Sequence, residues 1–275
     1  MLTGRIVKNI SNSYVVKTKD KDYTCTPRGK FRDMGLTPLV GDIVEIDEEN
    51  NYILKIEKRK NELDRPRISN IDYALIVTSM KKPDISLNLL DKEISSIILS
   101  GIAPVICFTK IDLINDEEKK DLEQLIKYYK GIGIETFTND FLEPLRKYLK
   151  GHYIVLTGQT GAGKSSLINR LDPTKHIEVG EISLALGRGR HTTRHTEFHE
   201  VDGFYIADTP GFSSLDLTKY SKEDIRDSFL EFRNFECEYR DCMHIKEEKC
   251  EIKSKVNEGI ILKSRYENYC NFISR

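Results

Sequence analysis

The sequence predicts a multidomain chain of three modules: an N-terminal five-stranded β-barrel over residues 1–64, a central doubly wound α/β domain over 65–215, and a mainly helical, cysteine-knotted segment over 216–275. Three observations predict this. The first module shows short runs of β-branched and aromatic residues separated by Asn, Asp, Gly and Pro. The second alternates near-continuous apolar strands with stretches of helical periodicity, the pattern of a mostly parallel sheet covered by helices. The third holds Cys237-x4-Cys242-x-His244-x5-Cys250.

In the first module Gly4–Val7, Tyr14–Val16, Tyr23–Thr26, Asp42–Ile46 and Tyr52–Ile56 read as strands. Five strands in about sixty residues suit a small closed barrel, and the oligonucleotide-binding (OB-fold) barrel is a common five-stranded form. An SH3-like or other small barrel is the alternative. Arg65-Pro66-Arg67 then reads as a linker.

In the second module Tyr73–Thr78 and Val105–Phe108 are apolar strands, and Leu87, Leu90, Ile94, Ile97 and Ile98 recur between them at helical spacing. A charged helix over Glu117–Lys130, a strand over Ile132–Phe137 and a helix over Phe141–Leu149 follow. His152–Thr157 is a strand feeding a glycine-rich loop, and Lys164–Leu171 is the helix after it. Glu197–Val201 and Phe204–Ala207, joined by Asp202-Gly203, form a hairpin that runs into Asp208.

The loop Gly158-Gln159-Thr160-Gly161-Ala162-Gly163-Lys164-Ser165, followed by Ser166, matches the phosphate-loop pattern Gly-x-x-x-x-Gly-Lys-Ser/Thr in the required strand-to-helix context. Its glycines let successive N–H groups turn toward phosphate oxygens, and the following helix adds the positive end of its dipole. Lys164 is expected at the β- and γ-phosphates and Ser165 on Mg²⁺. Asp208-Thr209-Pro210-Gly211 looks like the metal-and-γ-phosphate switch, with Asp208 holding a water of the Mg²⁺ shell and the Gly211 N–H free to approach the γ-phosphate.

Thr109-Lys110-Ile111-Asp112 follows a buried strand, where a base-binding loop belongs in an open α/β sheet. One carboxylate accepts two hydrogen bonds from guanine N1–H and N2–H₂, and adenine offers no such pair. Asp112 is therefore expected to select GTP over ATP, with the Lys110 stem along the base, and a surface Thr-Lys-x-Asp turn is the plainer reading. Thr109 stands where this motif usually has Asn. The remaining guanine-contacting motif falls between Asp112 and Gly158, where Phe137-Thr138-Asn139 is a poor match.

Between the phosphate loop and Asp208 lies the basic run Gly187-Arg188-Gly189-Arg190-His191-Thr192-Thr193-Arg194-His195. Thr192 or Thr193 is expected to complete the Mg²⁺ shell when the γ-phosphate is present. Arg188, Arg190 and Arg194 suit an RNA backbone, and a solvated basic loop is the plainer reading. Phe212 occupies the place of the usual water-positioning glutamine, and a phenyl ring cannot orient water. His191 is the candidate to assist, with a phosphate or RNA contact as its alternative. The base reader precedes the phosphate loop, the reverse of the ordinary order.

Three thiolates and one imidazole within residues 237–250 leave no open coordination position, so Cys237, Cys242, His244 and Cys250 are expected to hold one structural Zn²⁺. Disulfides are the alternative reading of the same cluster. Cys25, Cys107 and Cys270 read as incidental buried thiols.

The 275 residues carry a net charge of −1 with 32% charged residues, which excludes a uniformly basic nucleic-acid coat. No export signal or apolar span of about 18 residues is read, so cytoplasmic localisation with reduced thiols is expected.

Taken together, these motifs in this order resemble the circularly permuted GTPases, and the flanking modules resemble the bacterial ribosome small-subunit-dependent GTPase A family. Family-like segments also include Ile68-Ser69-Asn70-Ile71-Asp72 and Ser86-Leu87-Asn88-Leu89-Leu90-Asp91. The resemblance implies a GTPase, with GTP/GDP and Mg²⁺ as cofactors, acting late in maturation of the 30S ribosomal subunit. It implies binding to 16S rRNA and hydrolysis stimulated by the subunit. No DNA or membrane partner is expected, and the chain is expected to act as a monomer. Two other readings remain: an RNA-binding structural factor that keeps nucleotide without turnover, and a phosphotransferase, for which no acceptor domain is visible.

Overall fold

The computed structural model describes residues 1–11, 13–29, 31, 35–64, 67–174, 197–207 and 216–274. Strands β1 (Leu2–Ile10), β2 (Ser13–Lys17), β3 (Asp22–Pro27), β4 (Ile43–Asp47) and β5 (Tyr52–Ile56) close into a barrel of order β1-β2-β3-β5-β4. β1 closes it by pairing antiparallel with both β2 and β4. Such a strand must coil, and it does so at a register shift between Ile6 and Lys8. Gly4 serves the same close approach, because a Cβ there would lie 2.6 Å from Val16 Cγ1 and 2.7 Å from the Lys17 carbonyl oxygen. Ile6, Val16, Cys25, Val44, Ile46 and Ile53 fill the interior without exposure.

β6 (Glu62–Asp64) and β7 (Arg67–Ser69) pair antiparallel after the barrel. Residues 65 and 66 of the expected linker lie outside the described residues, and Arg67 opens β7. This ribbon is pinned to the barrel by Asp42, which is fully buried. Its carboxylate accepts from Ser69 Oγ at 2.6 Å, the Leu39 N–H at 2.8 Å, and Arg59 at 2.7 and 2.8 Å. These donors satisfy the buried carboxylate, and removing them would leave a buried charge without partners, which is expensive.

The chain divides into two compact units, one of residues 1–75, 142–157 and 163–212, the other of 76–141, 158–162 and 213–275. A six-stranded sheet has the order β10-β9-β8-β11-β13-β12, from β8 (Tyr73–Ser79), β9 (Ala103–Thr109), β10 (Glu135–Thr138), β11 (Tyr153–Thr157), β12 (Phe198–Val201) and β13 (Phe204–Ala207). β8 begins in the first unit and ends in the second. β9 and β10 are parallel, as are β11 and β13, while β12 and β13 form the expected antiparallel hairpin.

In the first unit Asp72, just before β8, accepts from the Tyr153 N–H at 2.9 Å and from Lys60 Nζ at 2.9 Å. Burial opposes its charge, yet these donors win and hold its pKa below the usual value. Arg5 of β1 lies 3.9 Å over the Tyr153 ring, which stacks on Tyr205 at 4.5 Å. The segment Ile68–Asp72 is thus a strap between barrel and sheet.

The second unit contains α1 (Leu87–Leu99), capped by Ser86, and α2 (Asp116–Gly131), which opens with a reciprocal capping box between Asn115 and Glu118. β10 starts at Glu135, three residues later than expected, because Ile132 caps α2 and Gly133 (φ +87°) turns the chain. The same unit takes in the C-terminal helices α5 (Lys222–Asp227), α6 (Glu251–Asn257) and α7 (Lys263–Ile273) around Phe229, Phe232, Ile252, Tyr269 and Phe272. The first unit contains α3 (Glu143–Leu149) and α4 (Lys164–Leu171). No helix among the described residues is long and apolar enough to cross a membrane.

Candidate functional site

Within the second unit, β9 ends at Thr109, which is 2% exposed. Its hydroxyl donates to the Ala162 carbonyl at 2.5 Å, tying the start of the Thr109–Asp112 segment to the glycine-rich loop. The Thr109 carbonyl in turn accepts from the Met80 N–H at 3.0 Å. Lys110 is left-handed (φ +56°) and turns the chain into a single 3-10 turn over Ile111–Leu113, with the Asp112 carboxylate exposed. Lys110 Nζ donates to the Lys82 carbonyl. The neutral Thr109 hydroxyl thus braces this segment to the loop.

The glycine-rich loop needs its glycines. Gly158 sits at φ +128°, and a Cβ there would lie 2.0 Å from the Val77 carbonyl oxygen. Gly161 is also left-handed, and the Ala162 N–H closes a turn on the Gln159 carbonyl at 3.1 Å. Gly163 (φ +92°) then starts α4 with no side chain capping its first turn. Gly163 has no side chain to cap that turn, and the start of a helix is where backbone N–H groups and the dipole suit an anion. Lys164 opens that helix, Ser165 is buried beside it and Ser166 is exposed.

Phe137-Thr138-Asn139 occupies the end of β10, whose parallel register pairs Thr138 with Phe108 and so sets this segment beside the end of β9. The Asn139 N–H donates to the Phe108 carbonyl at 2.9 Å, and its buried Oδ1 has no hydrogen-bond partner among the described residues. The remaining expected residues, Arg188, Arg190, His191, Thr192, Thr193, Arg194, Asp208, Gly211 and Phe212, lie outside the described residues.

Cys237, Cys242, His244 and Cys250 come together, with all donor atoms within 4.8 Å of one another. His244 Nδ1 is 3.5 Å from Cys237 Sγ and 3.4 Å from Cys250 Sγ, and those sulfurs are 3.9 Å apart. A tetrahedral Zn²⁺ with bonds of about 2.3 Å to sulfur and about 2.0 Å to nitrogen needs edges of roughly 3.5 and 3.8 Å. The donor set and its spacing fit that ion. Burial pushes the Cys242 thiol up to about 12 and, with Arg226 nearby, the His244 imidazole down to about 4. The neutral imidazole is the form that ligates.

Around these ligands the loop is bound at several points. His244 is left-handed (φ +59°), and its carbonyl accepts from the Tyr266 hydroxyl at 2.6 Å. Tyr269 donates to the Met243 carbonyl at 2.5 Å, and Glu247 accepts the Met243 and Ile245 N–H groups at 2.9 and 2.8 Å.

A second buried cluster escaped the sequence reading. Arg265 of α7 is fully buried and donates to Glu231 at 2.8 and 3.0 Å and to Asp91 of α1 at 2.7 Å. Asp91 also accepts from the Tyr129 hydroxyl of α2 at 2.9 Å and from Asn268 at 2.7 Å. Burial alone would lower the Arg265 pKa, but the two carboxylates hold it well above its ordinary value. The signal was Asp91, a charged residue on the apolar face of the periodic α1 segment.

Comparison with known proteins returns a consistent set. A family model described as RsgA GTPase matches residues 56–218, and one described as RsgA N-terminal domain matches residues 3–53. The chain is 43% identical over 283 residues to the small ribosomal subunit biogenesis GTPase RsgA of Geobacillus sp. (strain WCH70), covering 99% of this chain and 97% of the relative. It is 44% identical to the protein of the same description from Limosilactobacillus reuteri, covering 99% and 96%. Among solved structures it is similar to YloQ, described as a circularly permuted GTPase, with TM-score 0.84 and 34% identity over 100% of this chain and 94% of the other. It is similar also to YjeQ from Thermotoga maritima, with TM-score 0.85 and 30% identity over 99% and 97%.

Proposed function

The chain belongs to the RsgA GTPase family of GTP-hydrolysing enzymes, and from that premise we propose that it is a Mg²⁺-dependent switch acting in the cytoplasm on the small ribosomal subunit, through 16S rRNA, late in subunit maturation. The observation that carries this reading is the bond from Thr109 to Ala162. It ties the segment suited to read guanine to residues 158–162 of the loop suited to cradle phosphate.

In this reading Asp112 accepts the guanine N1–H and N2–H₂, Lys110 lies along the base, and Thr109 and Ile111 set the loop. Gly158 to Gly163 present backbone N–H groups to the phosphates, Lys164 neutralises the β- and γ-oxygens, and Ser165 and Ser166 lie at the start of the helix. Ser165, Thr192 or Thr193, and Asp208 through a water would hold Mg²⁺, whose chemistry when bound is to offset charge between the phosphates. Gly211 offers its N–H to the γ-phosphate. His191 is assigned an assisting role near the attacking water. Phe212 supplies no water-orienting group, so hydrolysis alone is slow and the subunit completes the site.

Cys237, Cys242, His244 and Cys250 would hold one Zn²⁺ that fixes the 216–275 module, with the 1–64 barrel as the second RNA-holding module around the 65–215 GTPase domain. The chain works as a monomer. GTP hydrolysis measured with and without purified 30S subunits tests the switch. Subunit-stimulated phosphate release supports it, while equal rates favour the alternative of an RNA-binding factor that holds nucleotide without turnover.

A further inference from the structure

In the second compact unit an open groove of about 430 Å³ runs between the 80–87 loop, α2 and the start of α7. Its size falls in the roughly 300–1,000 Å³ range of ordinary binding pockets. Ile85, Leu87, Leu125 and Leu262 give it an apolar, half-buried lining. Two exposed carboxylates, Asp84 and Asp121, line it as well. Neither makes a hydrogen bond or a close ion pair within the described residues; Lys81 at the groove pairs with Glu118 and is also within the field of Asp84.

This chemistry excludes one partner class and selects another. Asp84, Glu118 and Asp121 outnumber Lys81 in the lining, so a nucleic-acid backbone would meet excess negative charge and an apolar wall and is repelled here. An apolar groove edged by acidic side chains suits a basic polypeptide segment, because charge complementarity sets the sign of the partner. We propose that this groove docks a basic segment of a small-subunit protein, with apolar side chains over Leu125 and Leu262 and Lys or Arg against Asp84 and Asp121.

The proposal rests on the subunit-dependent GTPase reading and deepens it. Met80, whose N–H is bonded to the Thr109 carbonyl, lines the groove, and so does Ile114, two residues beyond Asp112. An occupant therefore bears directly on the base-reading loop. This gives a protein partner a route to the nucleotide separate from any RNA contact.

The test uses the full chain. Gln124, on the groove wall, is replaced by the photoreactive p-benzoylphenylalanine, and the protein is irradiated on purified 30S subunits with a non-hydrolysable GTP analogue. In parallel, the double variant Asp84→Asn, Asp121→Asn is assayed for subunit binding and for GTP hydrolysis with and without subunits. The expected adduct is on a Lys/Arg-rich stretch of a ribosomal protein. The double variant is expected to bind subunits about five- to tenfold more weakly, with subunit-free hydrolysis unchanged. Adducts on 16S rRNA, on this chain's own basic run 187–195 or on a second copy, or no adduct at all, would overturn the proposal. So would wild-type subunit affinity in the double variant. A wild-type protein that neither binds nor responds to subunits fails the proposed function itself, and the groove proposal with it.

Discussion

The Thr109 hydroxyl donates to the Ala162 carbonyl at 2.5 Å, so a strand end and a loop 53 residues further along the chain are joined by one buried bond. Thr is shorter than the Asn usual in this motif, yet it reaches because β9 carries Thr109 directly beneath the loop, at 2% exposure. The permuted chain order makes this contact more consequential. It links the module's earlier half to a segment that arrives only later in the sequence.

Thr109→Val removes the hydroxyl while keeping the shape, and it leaves the Ala162 carbonyl without that donor. An unsatisfied buried acceptor costs about 1–3 kcal/mol. GDP affinity, followed by titration with a fluorescent guanine nucleotide, is expected to fall about tenfold, and Thr109→Asn is expected to retain most of it. Wild-type affinity in the valine variant would show that the brace does not serve the nucleotide.

Asp112→Asn exchanges a double acceptor for an amide that can donate. Loss of two charge-assisted hydrogen bonds is expected to weaken GTP about a hundredfold. The same change admits xanthosine nucleotide, whose 2-oxo group accepts from the amide. Competition binding between GTP and xanthosine triphosphate reads the switch directly, and an unchanged base preference would remove Asp112 from the role of reader.

Much of this architecture was legible because each motif sat in a predictable local context. The glycine pattern between a strand and a helix fixed the loop, and the Cys/His spacing fixed the cluster, since both depend on contacts close in sequence. The Arg265 cluster was not legible. Its partners Asp91 and Glu231 lie 174 and 34 residues away, and no periodicity encodes such a pairing. Asp42 was hidden for a related reason: it read as the first residue of a strand, while its burial arises from Arg59 and Ser69.

Cys242→Ala removes one of four donors and with it the closed coordination set. The variant is expected to lose its equivalent of zinc and the order of the 237–250 loop, read by metal analysis and by hydrogen exchange across α6 and α7. The wild-type site has a pH sign that follows from the buried thiols. Cys242, pushed up to about 12, is protonated near neutrality when metal-free, so binding expels protons and zinc affinity falls as pH falls. A variant that keeps one equivalent of metal and full protection would refute the ligand set.

Arg265→Met is expected to be the most destabilising of these changes. It leaves Asp91 and Glu231 buried at 0% and 2% exposure without their cation, and it removes the guanidinium 4.6 Å over Phe229. Breaking a buried ion pair from one side costs about 3–5 kcal/mol. The cost should fall in the second unit, where α1, α2 and α7 meet at this cluster. Urea unfolding should therefore show a lower midpoint, with hydrogen-exchange protection lost together from α1 and α7. The triple variant Asp91→Leu, Glu231→Leu, Arg265→Met removes all three charges and should recover much of the stability, because no unpaired charge then remains buried. If the single and triple variants unfold alike, the cluster's cost lies in packing, and the ion pairs are not what joins these helices.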